Sequence, residues 1–311
     1  MRLCPRPALF VVAGLAALLM LAGCASSQPS TPVPGQSRVL SVVAAENVWG
    51  SIAAQLGGQQ VRVHSIIASP AADPHSYEAT ASDARAVAAA DLVVVNGIGY
   101  DVWASQLVAA DASPGPLTLT VGTLLGVGDG QNPHRWYNPS DVDRVVGALV
   151  GDYERLDPVD SAYFAQRAHD FRTVALAPYH ALIGQIRARY AGTPVGASES
   201  IFAMLSPALG LNLVTPPGFL RSVSEGTDPT AADKAAIDAQ ISGRKIAVYV
   251  YNSQNQTPDV QAQIEQATAV HIPVTAVTET LSPASATWQQ WQTSQLVALR
   301  DALAAAAKTG P

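Results

Sequence analysis

Two histidines in this chain stand directly after a proline. One is His75, in Asp73-Pro74-His75-Ser76-Tyr77-Glu78, and the other is His134, in Asn132-Pro133-His134-Arg135-Trp136. Proline holds its own φ and restricts the residue before it, so each imidazole is carried on a stiffened stretch of backbone. A neutral imidazole presents one ring nitrogen as a lone-pair donor, and histidine is the commonest transition-metal ligand. The pair is therefore read first as half of a metal site. Thiolate cannot complete it, because the two cysteines, Cys4 and Cys24, both lie in the first 24 residues. The partners must be oxygens.

The elements that would position such a site are read from periodicity. Apolar runs at 39–44, 61–68, 92–96 and 117–121 read as buried strands, with helices at 47–56, 82–90 (Ser82 and Asp83 as caps) and 100–109 between them. A helix comes next at 140–156, opening at Ser140 and Asp143. The alternation repeats with strands at 194–198, 212–215, 246–251 and 274–277, the last of edge type, and helices at 200–209, 230–241, from 258, and at 287–307. Continuous Val/Ile/Leu runs separated by helices predict parallel strands covered on both faces, hence an α/β fold. Between the two sets, residues 158–190 read as one helix of roughly 50 Å at 1.5 Å per residue. It would act as a stiff connector between two lobes, kinked at Pro178; the alternative is two helices turning near residues 177–178.

In open α/β sheets, ligands gather beyond the carboxyl ends of the strands. His75 comes after the second strand and His134 after the fourth. Glu199 comes after the strand at 194–198, and Asn252 after the strand at 246–251. Two nitrogens facing two oxygens across an interlobe cleft suit zinc, manganese or iron rather than copper(I). Tyr77 and Glu78 are expected to brace the His75 loop, and Trp136 to pack behind His134. His64 is expected in the core or at the surface, His169 and His180 solvated or at the kink of the long helix, and His271 structural.

The N-terminus reads as an export signal. Arg2 and Arg6 precede an apolar run from 8 to 22, and Leu21-Ala22-Gly23-Cys24 resembles a bacterial lipobox with Cys24 as the lipidated first residue. The expected organisation is a signal peptide at 1–23, a lipidated flexible tether at 24–36, an N-terminal lobe at 37–156, a connecting helix at 157–190 and a C-terminal lobe at 191–311. The product would be an extracytoplasmic protein anchored to the bacterial membrane. With 48% hydrophobic residues the chain can build two cores, and a net charge of −6 argues against nucleic acid as a partner.

These motifs together, with Ser82-Asp83, Asn96-Gly97, Trp103, Pro139 and Ser198-Glu199, resemble the zinc/manganese substrate-binding proteins of bacterial metal ABC importers. The resemblance runs from about residue 37 to the end. It implies two α/β lobes joined by one long rigid helix, with a divalent ion (Mn2+ or Zn2+, or iron) held between them as transported ligand. It also implies delivery by a monomer to an ABC permease and its ATPase, and no catalysis. Its ligand positions fall on His75, His134 and Glu199. The fourth is usually an acid, and here the corresponding place is held by Asn252. Asn252 itself, a water, Glu225 or Asp228 could complete the shell. The loop at 111–131 lacks the histidines of the zinc-dedicated branch. Two rival readings are a zinc hydrolase built on His/His/Glu, against which the chain has no His-Glu-x-x-His helix, and an adhesin-like lipoprotein on the same fold.

Overall fold

The structure, a computed structural model, describes residues 38–69, 77–110 and 115–309. Cys24 and the proposed tether lie outside the described residues, as does His75.

Among the described residues, eight strands form two all-parallel sheets of four. The first is built from β1 (Leu40–Glu46), β2 (Val61–Ile67), β3 (Leu92–Val95) and β4 (Leu117–Thr120), in the order β2-β1-β3-β4. The second takes β5 (Pro194–Ala197), β6 (Asn212–Leu213), β7 (Tyr249–Asn252) and β8 (Val274–Val277), in the order β6-β5-β7-β8. Each order reverses once, between β1 and β3 and between β5 and β7. A crevice opens beyond the strand ends at such a point, because the flanking connections leave in opposite directions.

Helices cover both sheets: α1 (Asn47–Gly57), α2 (Ala81–Ala88), α3 (Val102–Ala110), α4 (Val121–Leu125), α5 (Pro139–Leu156), α6 (Ser161–Asp170) and α7 (Ala177–Tyr190), then α8 (Ile201–Leu209), α9 (Pro217–Ser224), α10 (Ala231–Ser242), α11 (Pro258–Ala269) and α12 (Trp288–Thr309). Short α4 has too few residues for a periodic signal, and neither it nor α9 was expected. The caps also differ from expectation. Thr80, not Ser82, caps α2 in a reciprocal box with Asp83, and Asn138 caps α5 because Pro139 suits the first helical position, where no N–H is needed.

The long connector is helical from Ser161 to Tyr190 but not uniform. A five-residue π turn, Phe171–Ala175, separates α6 from α7, with Leu176 N–H donating to Phe171 O at 2.9 Å. Pro178 lacks an N–H and its ring would crowd the carbonyl of Val174 in a regular helix, so the wider turn one step upstream absorbs the misfit. The irregularity expected at Pro178 therefore falls at residues 171–176.

This helix does not join the halves alone. α12 packs along α7 and β8 and reaches α1. Trp288 N–H donates to Ser51 Oγ at 2.9 Å, and the amides of Gln55 and Gln289 exchange bonds of 3.0 and 2.6 Å. One apolar core runs through both halves, from Leu40 and Trp49 through Leu182 and Ile186 to Leu296 and Leu303. Residues 37–311 accordingly form one compact unit. No helix among the described residues is long and apolar enough to cross a membrane.

Candidate metal centre

His134 lies beyond the loop after α4 and is completely buried. Its position is determined by four neighbours. Asn96, just past β3, donates from Nδ2 to Pro133 O at 3.1 Å, and its Oδ1 accepts from Trp49 Nε1 at 3.0 Å. Asn132 Oδ1 accepts from His134 N–H at 3.1 Å and lies 2.9 Å from His134 Nδ1, while Asn132 Nδ2 donates to Ser200 O at 2.7 Å. Trp136 and Tyr100 stand roughly edge-to-face against the imidazole at 5.3 and 6.0 Å. Trp136 thus packs behind His134, as expected.

A carboxamide oxygen beside Nδ1 can only accept, so Nδ1 carries the hydrogen and Nε2 is left to face outward. It faces Glu279 Oε1, at 2.9 Å. A lone pair and a carboxylate at that distance repel unless a proton or a cation lies on the Nε2 side. Adjacent ligands on an ion with bonds of ~2.1 Å stand roughly 3 Å apart, so the spacing is that of two neighbours in one coordination shell.

Glu279 was not anticipated. It sits two residues beyond β8, in a loop fastened on every side. Gln254 Oε1 accepts from the Glu279 and Thr280 amides at 2.6 and 3.0 Å. Gln295 Oε1 accepts from Thr278 N–H, Trp291 Nε1 donates to Thr278 Oγ1, and Asn47 Oδ1 accepts from Leu281 N–H. A signal for it was present in the sequence. Glu279 stands two residues past the end of β8, just as Glu199 stands two residues past the end of β5.

Glu199 is 3% exposed. Asn252 meets it, but as a donor: Nδ2 lies 3.3 and 3.2 Å from the two Glu199 oxygens, and Oδ1 accepts from Gln254 N–H at 2.9 Å. Asn252 is also the last residue of β7, paired with Val277, not the first of a loop. The strand expected at 246–251 begins three residues later, although Ala247 N–H still bonds Pro194 O. Its oxygen thus already carries one hydrogen bond, and its amide N–H groups are turned to Glu199. Ser200 brings this side to the first, its Oγ 3.3 Å from His134 Nδ1. Of the other proposed acids, Glu225 shares a pocket with Asn132, Pro133 and Ser200. Glu225 is exposed at the end of α9, and Asp228 lies in a surface pocket with Lys234 and Asp259.

The structure therefore groups His134 with Glu279, and Glu199 with Asn252. Among the described residues no three His, Cys, Asp or Glu side chains converge as an ion-holding cluster. Tyr77, two residues after His75, is anchored: its hydroxyl donates to Asp83 Oδ2 at 2.9 Å and its ring lies 4.8 Å from Trp103. Glu78 is exposed.

Behind the centre lies a second, unexpected acidic pair. Asp101 is fully buried and accepts the Asn96 and Gly97 amides, both at 2.7 Å. Glu46, the last residue of β1, is 1% exposed and meets Asp101's carboxyl. Burial first, then the Asp101 charge, pushes the Glu46 carboxyl well above the usual carboxylate range. Two carboxyls near each other away from water do not both ionise readily, and the amides on Asp101 favour its anion, so the neutral form is favoured at Glu46. Tyr100 lies between this pair and Glu279; burial and the Glu279 carboxylate push its phenol well above its ordinary range.

This arrangement has a pH consequence. The folded state keeps the Glu46 proton while the unfolded chain releases it above about pH 4.3, so the unfolded state binds fewer protons and stability falls as pH rises from there. Glu46→Gln stays neutral and can still donate to Asp101. It is expected to melt higher than the parent at pH 8, with the gap shrinking toward pH 4; a gap independent of pH would refute a neutral Glu46.

Comparisons with known proteins place the family and the fold. The family model for the periplasmic zinc-uptake complex component A (ZnuA) matches residues 42–302. The manganese-binding lipoprotein MntA of Halalkalibacterium halodurans is 28% identical over 156 residues, covering 49% of this chain and 51% of that protein. The metal ABC transporter substrate-binding lipoprotein ScbA of Streptococcus cristatus is 37% identical over 103 residues, 32% of each chain. The iron-binding protein YfeA of Yersinia pestis is 27% identical, covering 46% of this chain and 48% of that one. The chain thus spans about half the length, or less, of these curated relatives. Among solved structures, the Mn-bound periplasmic metal-binding protein from Candidatus Liberibacter asiaticus superposes with a TM-score of 0.71 at 18% identity, over 85% of this chain and 99% of that one. FpvC of Pseudomonas aeruginosa in complex with Mn2+ gives 0.69 at 16% identity, over 88% and 100%.

Proposed function

The chain belongs to the ZnuA family of periplasmic zinc-uptake components, and from that premise we propose that it captures a divalent transition metal and delivers it to an ABC permease driven by a cytoplasmic ATPase. Family members are substrate-binding components of importers, not enzymes. The cargo is Mn2+ or Zn2+, with iron, the metal named for one relative, as the third option. The protein is a monomer held outside the cytoplasm by lipid on Cys24.

The ligands are His75, His134, Glu199 and Glu279, with Asn252 reassigned from ligand to the group that orients Glu199. Two imidazoles and two carboxylates bring a divalent ion to zero net charge, which Asn252 could not do in place of an acid. The observation that carries this reading is the buried His134 imidazole, with Nδ1 2.9 Å from Asn132 Oδ1 and Nε2 2.9 Å from a carboxylate oxygen of Glu279. Such a pair calls for a positive charge, and a buried carboxylate–imidazole set of mixed N and O donors suits zinc or manganese.

The test is calorimetric titration of the full chain with Mn2+ and Zn2+. One ion per chain is expected, with proton release visible as a dependence of the apparent enthalpy on buffer ionisation heat. His75→Ala and His134→Ala should each remove tight binding while far-ultraviolet circular dichroism stays unchanged. Retention of parental affinity by either variant would remove that residue from the shell.

A further inference from the structure

At the opposite end of the second sheet is a pocket of about 320 Å³ that the metal reading does not use. The strands β5, β7 and β8 end near Glu199, Asn252 and Glu279 on one side. Their starts lie roughly 13 Å away, given ~3.3 Å per residue over four residues. There Pro194, Ile246, Ile272 and Pro273 form apolar walls, and Arg244, Lys245 and His271 supply the polar groups. No acidic residue lines the pocket, in a chain whose net charge is −6.

The cations are not on free loops. Arg244 (φ 51°) and His271 (φ 61°) are two of the three non-glycine residues with left-handed backbone among the described residues. That conformation is disfavoured for residues bearing a β-carbon. Both sit in tight reversals, at α10 to β7 and α11 to β8. Arg244 N–H donates to Ile241 O and His271 N–H to Thr268 O. Two turns of unfavourable conformation thus set basic side chains at one mouth. No side-chain bond or ion pair of Lys245 or His271 is present within the described residues, and both are exposed.

We propose that this pocket binds the phosphate group of an amphiphilic anion, with Arg244, Lys245 and His271 on the phosphate and Ile246, Ile272 and Pro273 against the attached apolar group. Guanidinium and ammonium groups make the strongest hydrogen bonds to phosphate oxygens, and the apolar walls add affinity only for an ester. A phospholipid headgroup and free phosphate share this recognition chemistry, and the experiment separates them.

The full chain is titrated calorimetrically with inorganic phosphate, with monomeric dihexanoyl phosphatidic acid and with dihexanoyl phosphatidylcholine. Saturable one-to-one binding of phosphatidic acid is expected, about tenfold tighter than inorganic phosphate, and lost by about tenfold or more in Lys245→Glu and weakened in His271→Gln. Equal affinities for the two anions would support the anion site with free phosphate as its ligand. Absence of saturation by both anions, binding of phosphatidylcholine as strong as phosphatidic acid, or affinity unchanged in both variants would overturn the proposal. Unaltered metal affinity in the variants, read at the other end of the strands, shows that they are folded, so failure here leaves the metal reading standing.

Discussion

Glu279→Gln is expected to lower the affinity for Mn2+ and Zn2+ by at least about a hundredfold, beyond the roughly 10–100-fold that accompanies loss of a group supporting a ligand. The substitution keeps the shape of the side chain and can still bond His134, but it removes the anionic donor. It also leaves a divalent ion with one carboxylate in a centre where His134 is fully buried and Glu199 nearly so. The loop should keep its place, since its ties from Gln254, Gln295, Trp291 and Asn47 do not involve the carboxylate. Asn252→Ala provides the contrast. It frees Glu199 to rotate without subtracting charge, and about tenfold is expected. If Asn252→Ala costs more than Glu279→Gln in the same titration, the assignment of ligand and orienting residue is reversed. The comparison separates the two roles better than either variant alone.

Asp101→Ala should be the most damaging single change to stability away from the ligands, at about 3–5 kcal/mol. It strips the Asn96 and Gly97 amides of acceptors held at 2.7 Å, in a region closed to water. Asn96 is the residue that holds the Pro133 carbonyl, so the loss should reach His134 and show as weakened metal binding even where the fold survives. Urea melts measure the first effect and metal titration the second. A cost under about 1 kcal/mol would mean that the pair is not a buried anchor.

Much of the fold was legible because parallel strands covered on both faces leave an unbroken apolar signature. Residues 92–95 are Leu-Val-Val-Val and all four are buried. Where the signature failed, a local reason is often visible. α4 has five residues, too short for periodicity to register, and α9 went unread although it is as long as α2; β6, anticipated at 212–215, keeps only two residues in its ladder. β7 carries its apolar run ahead of its ladder, so periodicity places the strand three residues early. The connector's interruption was anticipated, but its location depends on which turn could widen around Pro178.

The candidate site was legible in part. His134 was marked by its proline and Glu199 by its strand. Asn252 was marked by the same rule, and its Nδ2 donates to Glu199. Which end of a carboxamide faces a given neighbour depends on the residues around it, which no local pattern carries. Glu279 stands 145 residues from His134 in the chain, and no local pattern links them. The Glu46–Asp101 pair was equally hidden, because Glu46 continues an apolar strand and Asp101 reads as an ordinary helix-start acid.

By itself the order of residues determined that the proposed site has no thiolate donors outside the first 24 residues, since both cysteines fall there, and that strands would run parallel under helices, since each run is apolar throughout. Those properties are carried by residue type and local period. The tertiary structure alone decided which carboxylate meets the imidazole, which amide turns donor, and that α12 as well as the long helical connector ties the halves. Each of these depends on side chains far apart in sequence competing for a small number of buried partners, and that competition is settled only when the two sheets are packed together.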